Sequence, residues 1–313
     1  MSARVRLRSL AKINLDLRVL GKRPDGFHEL RTIFQTISLA DRIDVEYERG
    51  RTKVEIESNL DIPGNLILKA ADLVMQSARA TGRVKFRLTK RIPMGGGLGG
   101  GSTNAAAVLL ALPAVLGKRV PFEKLLELAA ELGSDVPFFL TGGTALGIGR
   151  GAEVYPMPDA PAAPGLLVAP GIHSSTAEAY RALERKPLSE INATICNNFQ
   201  VVADRTGLRQ TKFLNDFETV VFERYPQLKS IKGKLLRLGA WRAMMTGSGS
   251  SVFGMFPDSS FRDRAAEWFR KETSYQVFPF ATVTRVRYRA LWWRQLAISP
   301  ESRIWPPQDR YAG

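Results

Sequence analysis

The chain is short of the residues that build disulfide scaffolds and zinc centres. Of its 313 residues one is cysteine, Cys196, and two are histidines, His28 and His173. A single thiol closes no internal disulfide, and two distant imidazoles make no zinc-ligand cluster. Both shortages fit a reducing, cytoplasmic setting. No apolar run reaches the length of a bilayer span. The N-terminus alternates Arg4, Arg6 and Arg8 with Val5 and Leu7, a strand pattern and not the apolar core of a signal peptide. Acids are also scarce: 30 Asp and Glu against 45 Lys and Arg leave a net charge of +15. Nucleic-acid binding is one reading of that excess. The basic residues are spread singly or in pairs, with no long block of like charge. That favours a basic enzyme whose substrates carry several phosphates and are steered by its field, with no nucleic acid and no membrane as partner.

Glycine is concentrated at one place. Residues 93–104 read Pro-Met-Gly-Gly-Gly-Leu-Gly-Gly-Gly-Ser-Thr-Asn, and an alanine-rich run from Ala105 to Leu116 follows at once. With almost no side chains in the loop, its backbone N–H groups can close around an anion. Ser102 is the expected N-cap of the following helix, so amide donors and the positive end of a helix dipole meet in a phosphate site. The candidate nucleotide contacts are Pro93, Met94, Gly95, Gly96, Gly97, Leu98, Gly99, Gly100, Gly101, Ser102 and Thr103. A dinucleotide fold is disfavoured, because the next element is another helix and not a strand ending in an acid. A Gly-Lys-Ser/Thr ending is missing, which excludes a P-loop, and no His-Arg-Asp loop follows, which excludes a protein kinase.

Alternating patterns place strands at 13–19, 43–48, 53–57 and 84–88, then at 144–148 and 153–155. Helices are expected from Asn65 towards Gly82, at 102–116, and between Pro121 and Gly133. The four prolines of residues 156–165 mark a domain boundary. Beyond it come a strand at 166–169, a helix at 175–183, and helical stretches at 188–203, 216–224 and 226–238. A strand at 243–245, a Thr246–Ser251 turn, a strand at 252–256, a helix at 261–271 and a strand at 275–283 complete the second half. Residues 285–313 hold six arginines, three tryptophans and three prolines with no clear period, and are expected to wrap over the C-terminal domain.

The segment Pro93-Met-Gly-Gly-Gly97-Leu98-Gly99-Gly-Gly-Ser102-Thr103 resembles the middle motif of the GHMP kinases, the family of galactokinase, homoserine kinase and mevalonate kinase. Two further segments narrow the resemblance to the branch that phosphorylates 4-diphosphocytidyl-2-C-methyl-D-erythritol: Ala11-Lys12-Ile13-Asn14-Leu15 followed by Arg23–Leu30, and Leu132-Gly133-Ser134-Asp135-Val136-Pro137-Phe138-Phe139. A third glycine motif, Thr246-Gly-Ser-Gly-Ser-Ser251, falls where the family as a whole has its C-terminal one. The four motifs lie in order over roughly residues 5–284.

The resemblance implies an α+β kinase. Residues 1–160 would form a ribosomal-protein-like βαβ domain, residues 161–284 a ferredoxin-like domain, and residues 285–313 a basic, Trp-rich extension. ATP would be the co-substrate, with Mg2+, in the methylerythritol phosphate route to isoprenoid precursors. The chain would act as a monomer or weak homodimer. Asp135 would be the general base and Lys12 its electrostatic partner. Asn14 would contact substrate. Phe27 and Tyr180 would stack on the cytosine, with His28 at the ring edge. Asn65 and Lys90 would lie near the adenine.

From the residues alone, each has an ordinary reading. Lys12 and Asn14 share a polar strand face with Asp16 and Arg18. Asp135 is placed to cap a short helix, Asn65 to cap another, and Lys90 to be an exposed strand-end charge. His28 falls in a loop between Gly26 and Glu29, and Tyr180 is placed for core packing. The rival readings are a kinase of another small alcohol, such as homoserine or mevalonate, and a basic nucleic-acid-binding protein. The Phe27–His28 loop separates the first rival, whose substrates carry no cytosine.

Overall fold

The computed structural model describes residues 2–183 and 213–307. The first two strands, β1 (Ser2–Lys22) and β2 (His28–Glu48), are each 21 residues long and pair antiparallel along almost their full length. The alternations expected separately near the N-terminus and at 13–19 belong to this one strand. Register shifts between Leu10 and Lys12 and between Asn14 and Asp16 bend it, as bulges do. β2 starts at His28, far ahead of the strand expected at 43–48, so His28 is a strand residue opposite Lys22 and not a loop residue. Most of β2 is buried on both faces, polar Thr32, Gln35 and Thr36 included, which erases the alternation that marks a half-buried strand.

The strands β3 (Lys53–Ser58) and β4 (Arg83–Thr89) run parallel, joined by helix α1 (Leu66–Ser77). Asn65 caps α1, its Oδ1 accepting from the Ile67 N–H at 3.1 Å. With β5 (Thr144–Gly149) and β6 (Glu153–Pro156) these strands form a six-stranded sheet in the order β3-β4-β2-β5-β6, with β1 on β2. Helix α2 (Gly100–Leu116) packs against β1 and α1, and against α3 (Phe122–Leu132) and α4 (Val136–Thr141). Every α2 residue from Thr103 to Pro113 is buried. A helix apolar on all sides belongs inside a core, and its alanines let four neighbours approach closely.

The second sheet is antiparallel, in the order β10-β7-β9-β8, from β7 (Pro164–Ala169), β8 (Arg242–Met245), β9 (Val252–Met255) and β10 (Gln276–Ala281). Helices α5 (Thr176–Ala182), α6 (Phe217–Arg224) and α7 (Pro226–Arg237) lie between β7 and β8 in the chain, and α8 (Ser259–Glu272) between β9 and β10. This β-α-β-β-α-β succession is ferredoxin-like, and the whole is α+β. The helical stretch expected at 188–203, with Cys196, lies outside the described residues.

The extension differs from expectation. Residues 285–295 form a helix, α9 (Arg285–Gln295), and it joins the core of the six-stranded sheet, not the surface of the second. Its root fixes that direction. Val283 N–H donates to the Thr36 carbonyl at 2.9 Å, and the Arg285 guanidinium donates to the carbonyls of Met157 (3.0 Å) and Thr144 (2.5 Å). The chain therefore leaves β10 already pinned to β2 and β5. Tyr288 and Trp292 are then fully buried while Arg287 and Arg294 stay exposed. Trp292→Ala is expected to destabilise the protein by about 3–5 kcal/mol in denaturant unfolding. An unchanged midpoint would show the helix to be a dispensable wrapping.

Candidate active site

Lys12 sits at the bend of β1. Its N–H donates to the Leu98 carbonyl at 3.1 Å, which pins the strand to the glycine loop. The side chain is only 4% exposed; its ammonium donates to Asn14 Oδ1 at 2.8 Å and lies 3.3 Å from Asp135 Oδ2. The solvated polar face expected for β1 is therefore buried at Lys12, Asn14 and Asp16. An ammonium taken out of water needs such partners.

Asp135 occupies the N-cap position of α4, yet its side chain makes no capping hydrogen bond. The carboxylate instead faces Lys12 and keeps 32% of its surface open. The ordinary capping reading of this residue does not hold.

The glycine loop opens onto α2 as expected, but through a different cap. The N-cap is Gly99, in the left-handed region, and Ser102 lies inside the first turn. A side chain at Gly99 would meet the Phe139 ring at 2.8 Å, so both the conformation and the packing require glycine. A cap without a side chain leaves the first helical N–H groups for a ligand, at the positive end of the dipole. Thr103, expected to reach phosphate, spends its hydroxyl on the Leu10 carbonyl at 2.8 Å and ties α2 to β1.

The third glycine motif is the turn between β8 and β9, and it is docked on the first. Thr246 Oγ1 donates to the Gly97 carbonyl and accepts from the Asn14 N–H, both at 3.1 Å. Gly247 N–H donates to Asn14 Oδ1 at 3.0 Å, and Asn14 Nδ2 donates to Thr32 Oγ1 at 2.7 Å. The amide expected to grip substrate thus joins Lys12 to the turn, although it still reaches the cavity wall. Asn215 supports the turn from behind, donating to the carbonyls of Met245 and Gly247 at 2.9 and 2.8 Å.

These elements surround a cavity of ≈ 1020 Å3. It brings together every expected site residue except Ser102 and Thr103, which do not line it. Lys90 is not an exposed strand-end charge. It is buried against Asp41, whose other oxygen accepts from Arg91 and Ile92 N–H at 2.7 and 2.9 Å. Its ammonium lies 2.9 Å from where a Gly100 side chain would begin. The ring that stacks on Tyr180 is His28, with centroids 4.7 Å apart, while Phe27 is exposed with the Arg150 guanidinium 4.7 Å over it. Burial, and then the charge of Lys22, hold the His28 pKa below its ordinary value. Burial pushes the Tyr180 hydroxyl up to about 12, with the Asp135 carboxylate adding to it.

Sequence reasoning missed Lys22, Arg150 and Arg181, which also line the cavity, and Asn215 and Asp41, which support it. None of them falls in a glycine motif. Arg150 is framed by Gly149 and Gly151, and Arg181 follows Tyr180. Among the described lining residues, Asp135 is the one acid, set against Lys12, Lys22, Lys90, Arg150 and Arg181.

Comparison with known proteins places the chain in a family. Residues 65–143 match the model of the GHMP kinases N terminal domain, and residues 202–272 match GHMP kinases C terminal. The 4-diphosphocytidyl-2-C-methyl-D-erythritol kinase of Solibacter usitatus is 54% identical over 310 residues, 97% of each chain. The enzyme of the same name from Geobacter sulfurreducens is 38% identical, covering 84% of this chain and 94% of its own. A crystal structure of 4-(cytidine 5'-diphospho)-2C-methyl-D-erythritol kinase superposes with a TM-score of 0.74 at 35% identity, over 88% of this chain and 98% of that one. A homoserine kinase from Cytophaga hutchinsonii shares the fold, with a TM-score of 0.68 at 18% identity.

Gly97 is where the two glycine motifs meet. A Cβ there would stand 2.0 Å from the Thr246 carbonyl oxygen, at a φ of +74°. Gly97→Ala is expected to lower stability by about 1–3 kcal/mol. Thermal unfolding checks this, and a wild-type midpoint would mean that the motifs are not in contact.

Proposed function

Because the chain belongs to the GHMP kinase family, among its 4-diphosphocytidyl-2-C-methyl-D-erythritol kinases, we propose that Asp135 is the general base of its reaction and Lys12 the electrostatic partner. The reaction is the ATP-dependent phosphorylation of the 2-hydroxyl of 4-diphosphocytidyl-2-C-methyl-D-erythritol, in the methylerythritol phosphate route to isoprenoid precursors. The observation that carries the roles is the 3.3 Å pair between a buried ammonium and the one acid among the described lining residues of the cavity.

Phosphoryl transfer leaves the protein three tasks: to position, to stabilise charge and to accept the alcohol proton. Asp135 takes that proton as the 2-hydroxyl oxygen attacks the terminal phosphorus and the bond to the bridging oxygen of ATP breaks. Lys12, 3.3 Å from that carboxylate, offsets negative charge on the reacting oxygens during the step. The N–H groups of the loop and of the first turn of α2 hold the phosphates. Lys90 and Asn65 lie towards the adenine. A magnesium ion suits a site with one carboxylate, since it keeps most of its shell for phosphate oxygen and water. It would add positive charge at the phosphates beside Asp135.

His28 and Tyr180 form an aromatic step against which the cytosine settles, with Phe27 at its edge. Lys22, Arg150 and Arg181 supply positive charge for a substrate that is itself a diphosphate. We assign residues 1–160 to the domain carrying the nucleotide loop and the base, 161–284 to the domain carrying Tyr180, and 285–313 to an extension. The protein acts in the cytoplasm as a monomer or weak homodimer, without a nucleic-acid partner. No helix among the described residues is long and apolar enough to cross a membrane.

Three measurements check the roles. Asp135→Asn removes the proton acceptor and is expected to lower kcat by about 10²–10⁴-fold, with ATP affinity retained in calorimetry. Normal turnover in that variant would exclude Asp135 as base. For His28, burial and then the Lys22 charge lower the pKa and so favour the neutral ring at pH 7. The KM for the cytidyl substrate is therefore flat above neutrality and climbs in acid, while the KM for ATP does not. His28→Ala raises the cytidyl KM far more than the ATP KM; equal effects would remove His28 from the cytosine site.

A further inference from the structure

The helix that follows Asp135 is too short to hold itself. α4 has six residues, and helices of this length are not stable alone. Its last carbonyls have no donors within the helix. Two of them are taken by side chains of the C-terminal extension: the Tyr288 hydroxyl donates to the Phe139 carbonyl at 2.5 Å, and Trp305 Nε1–H donates to the Leu140 carbonyl at 3.1 Å. Gly142, which ends α4, carries no side chain because a Cβ would stand 2.3 Å from the Tyr288 ring.

The same helix carries one group of the site and two buried rings that pack behind it. Asp135 stands at its start. The Phe138 ring lies 4.9 Å from Phe34, over which the Lys12 ammonium sits at 5.3 Å. The Phe139 ring packs on Gly99, the cap of α2. A tilt of α4 therefore moves the base, the surroundings of Lys12 and the mouth of the phosphate loop together.

The extension is itself fastened at several points. Arg285 is tied to β5 and to the chain after β6, with its N–H on Asp159 Oδ2 at 2.7 Å. Gln295 Oε1 accepts from the Arg8 N–H at 2.6 Å. Trp293 Nε1–H closes the turn on the Ile304 carbonyl at 3.1 Å and so brings Trp305 back over the core. The result is a strap that crosses the end of α4.

We propose that Tyr288 and Trp305 are positioning residues of this enzyme, which act through α4 to hold Asp135 in register with Lys12. The proposal rests on the assignment of Asp135 as base. Neither residue lines the cavity, so their removal should change the chemical step and not substrate binding.

Tyr288→Phe keeps the ring and deletes one donor, and Trp305→Phe deletes the other donor and leaves a smaller aromatic ring in place of the indole. Steady-state kinetics of the full-length variants is expected to show kcat per folded molecule reduced about three- to tenfold, with both KM values near wild type and an unfolding midpoint lowered but still above the assay temperature. Trp293→Phe, whose donor serves the strap and not α4, is expected to keep wild-type kcat. Wild-type kcat in both Tyr288→Phe and Trp305→Phe, or a fall accounted for by lost folded protein at the assay temperature, would reduce the strap to ordinary stability. Full activity in Asp135→Asn would overturn the proposal from its other side, by removing the base it depends on.

Discussion

A single buried ammonium organises this molecule. Taking the Lys12 charge out of water is costly unless carboxylate and amide oxygens replace the lost hydration. Asp135 and Asn14 do so, and each is held by a different part of the chain. Asn14 is fixed by the Thr246–Ser251 turn of the second half, and Asp135 by the α4 helix of the first. The lysine backbone is bonded to the glycine loop. A change in any of these four elements reaches the others through one side chain. In the proposed mechanism this convergence sets the proton acceptor and a positive charge beside the reacting oxygens.

The fold was largely readable from pattern, and the site only in part. The succession of strands and helices, the glycine loop opening onto a helix, and a turn at 246–251 follow from spacing that survives folding, while the α+β architecture comes with the family resemblance. The long β2 strand did not show, because burial on both faces removes alternation. Serine is a good cap, which points to Ser102, but Gly99 supplies a left-handed turn that no serine adopts easily. Lys12 and Lys90 looked like solvated charges; their partners, Asp135 and Asp41, are 123 and 49 positions away, and no local window contains them. The destination of the extension was misread for the same reason, since Thr36, Thr144 and Met157, which fix its direction, lie far upstream.

The basic composition finds a local meaning in the cavity. Five lysines and arginines face one acid there, a distribution matched to a reaction that joins two polyphosphate substrates. Lys12 and Lys90 each have a carboxylate opposite them within the protein. Lys22, Arg150 and Arg181 lie outside the glycine motifs, where the chain meets the cytidyl part of the acceptor in the proposed arrangement. The aromatic step of His28 on Tyr180 unites β2 with α5, so in the proposed arrangement recognition of the acceptor draws on both halves of the chain.

The central claim is that Lys12 and Asp135 converge on the reacting hydroxyl. A crystal structure of the protein with a non-hydrolysable ATP analogue and the cytidyl acceptor tests it most directly. The account predicts the acceptor 2-hydroxyl at about 3 Å from an Asp135 carboxylate oxygen, with the Lys12 ammonium beside the terminal phosphate. A hydroxyl directed at another side chain, or a terminal phosphate held away from Lys12, would contradict it.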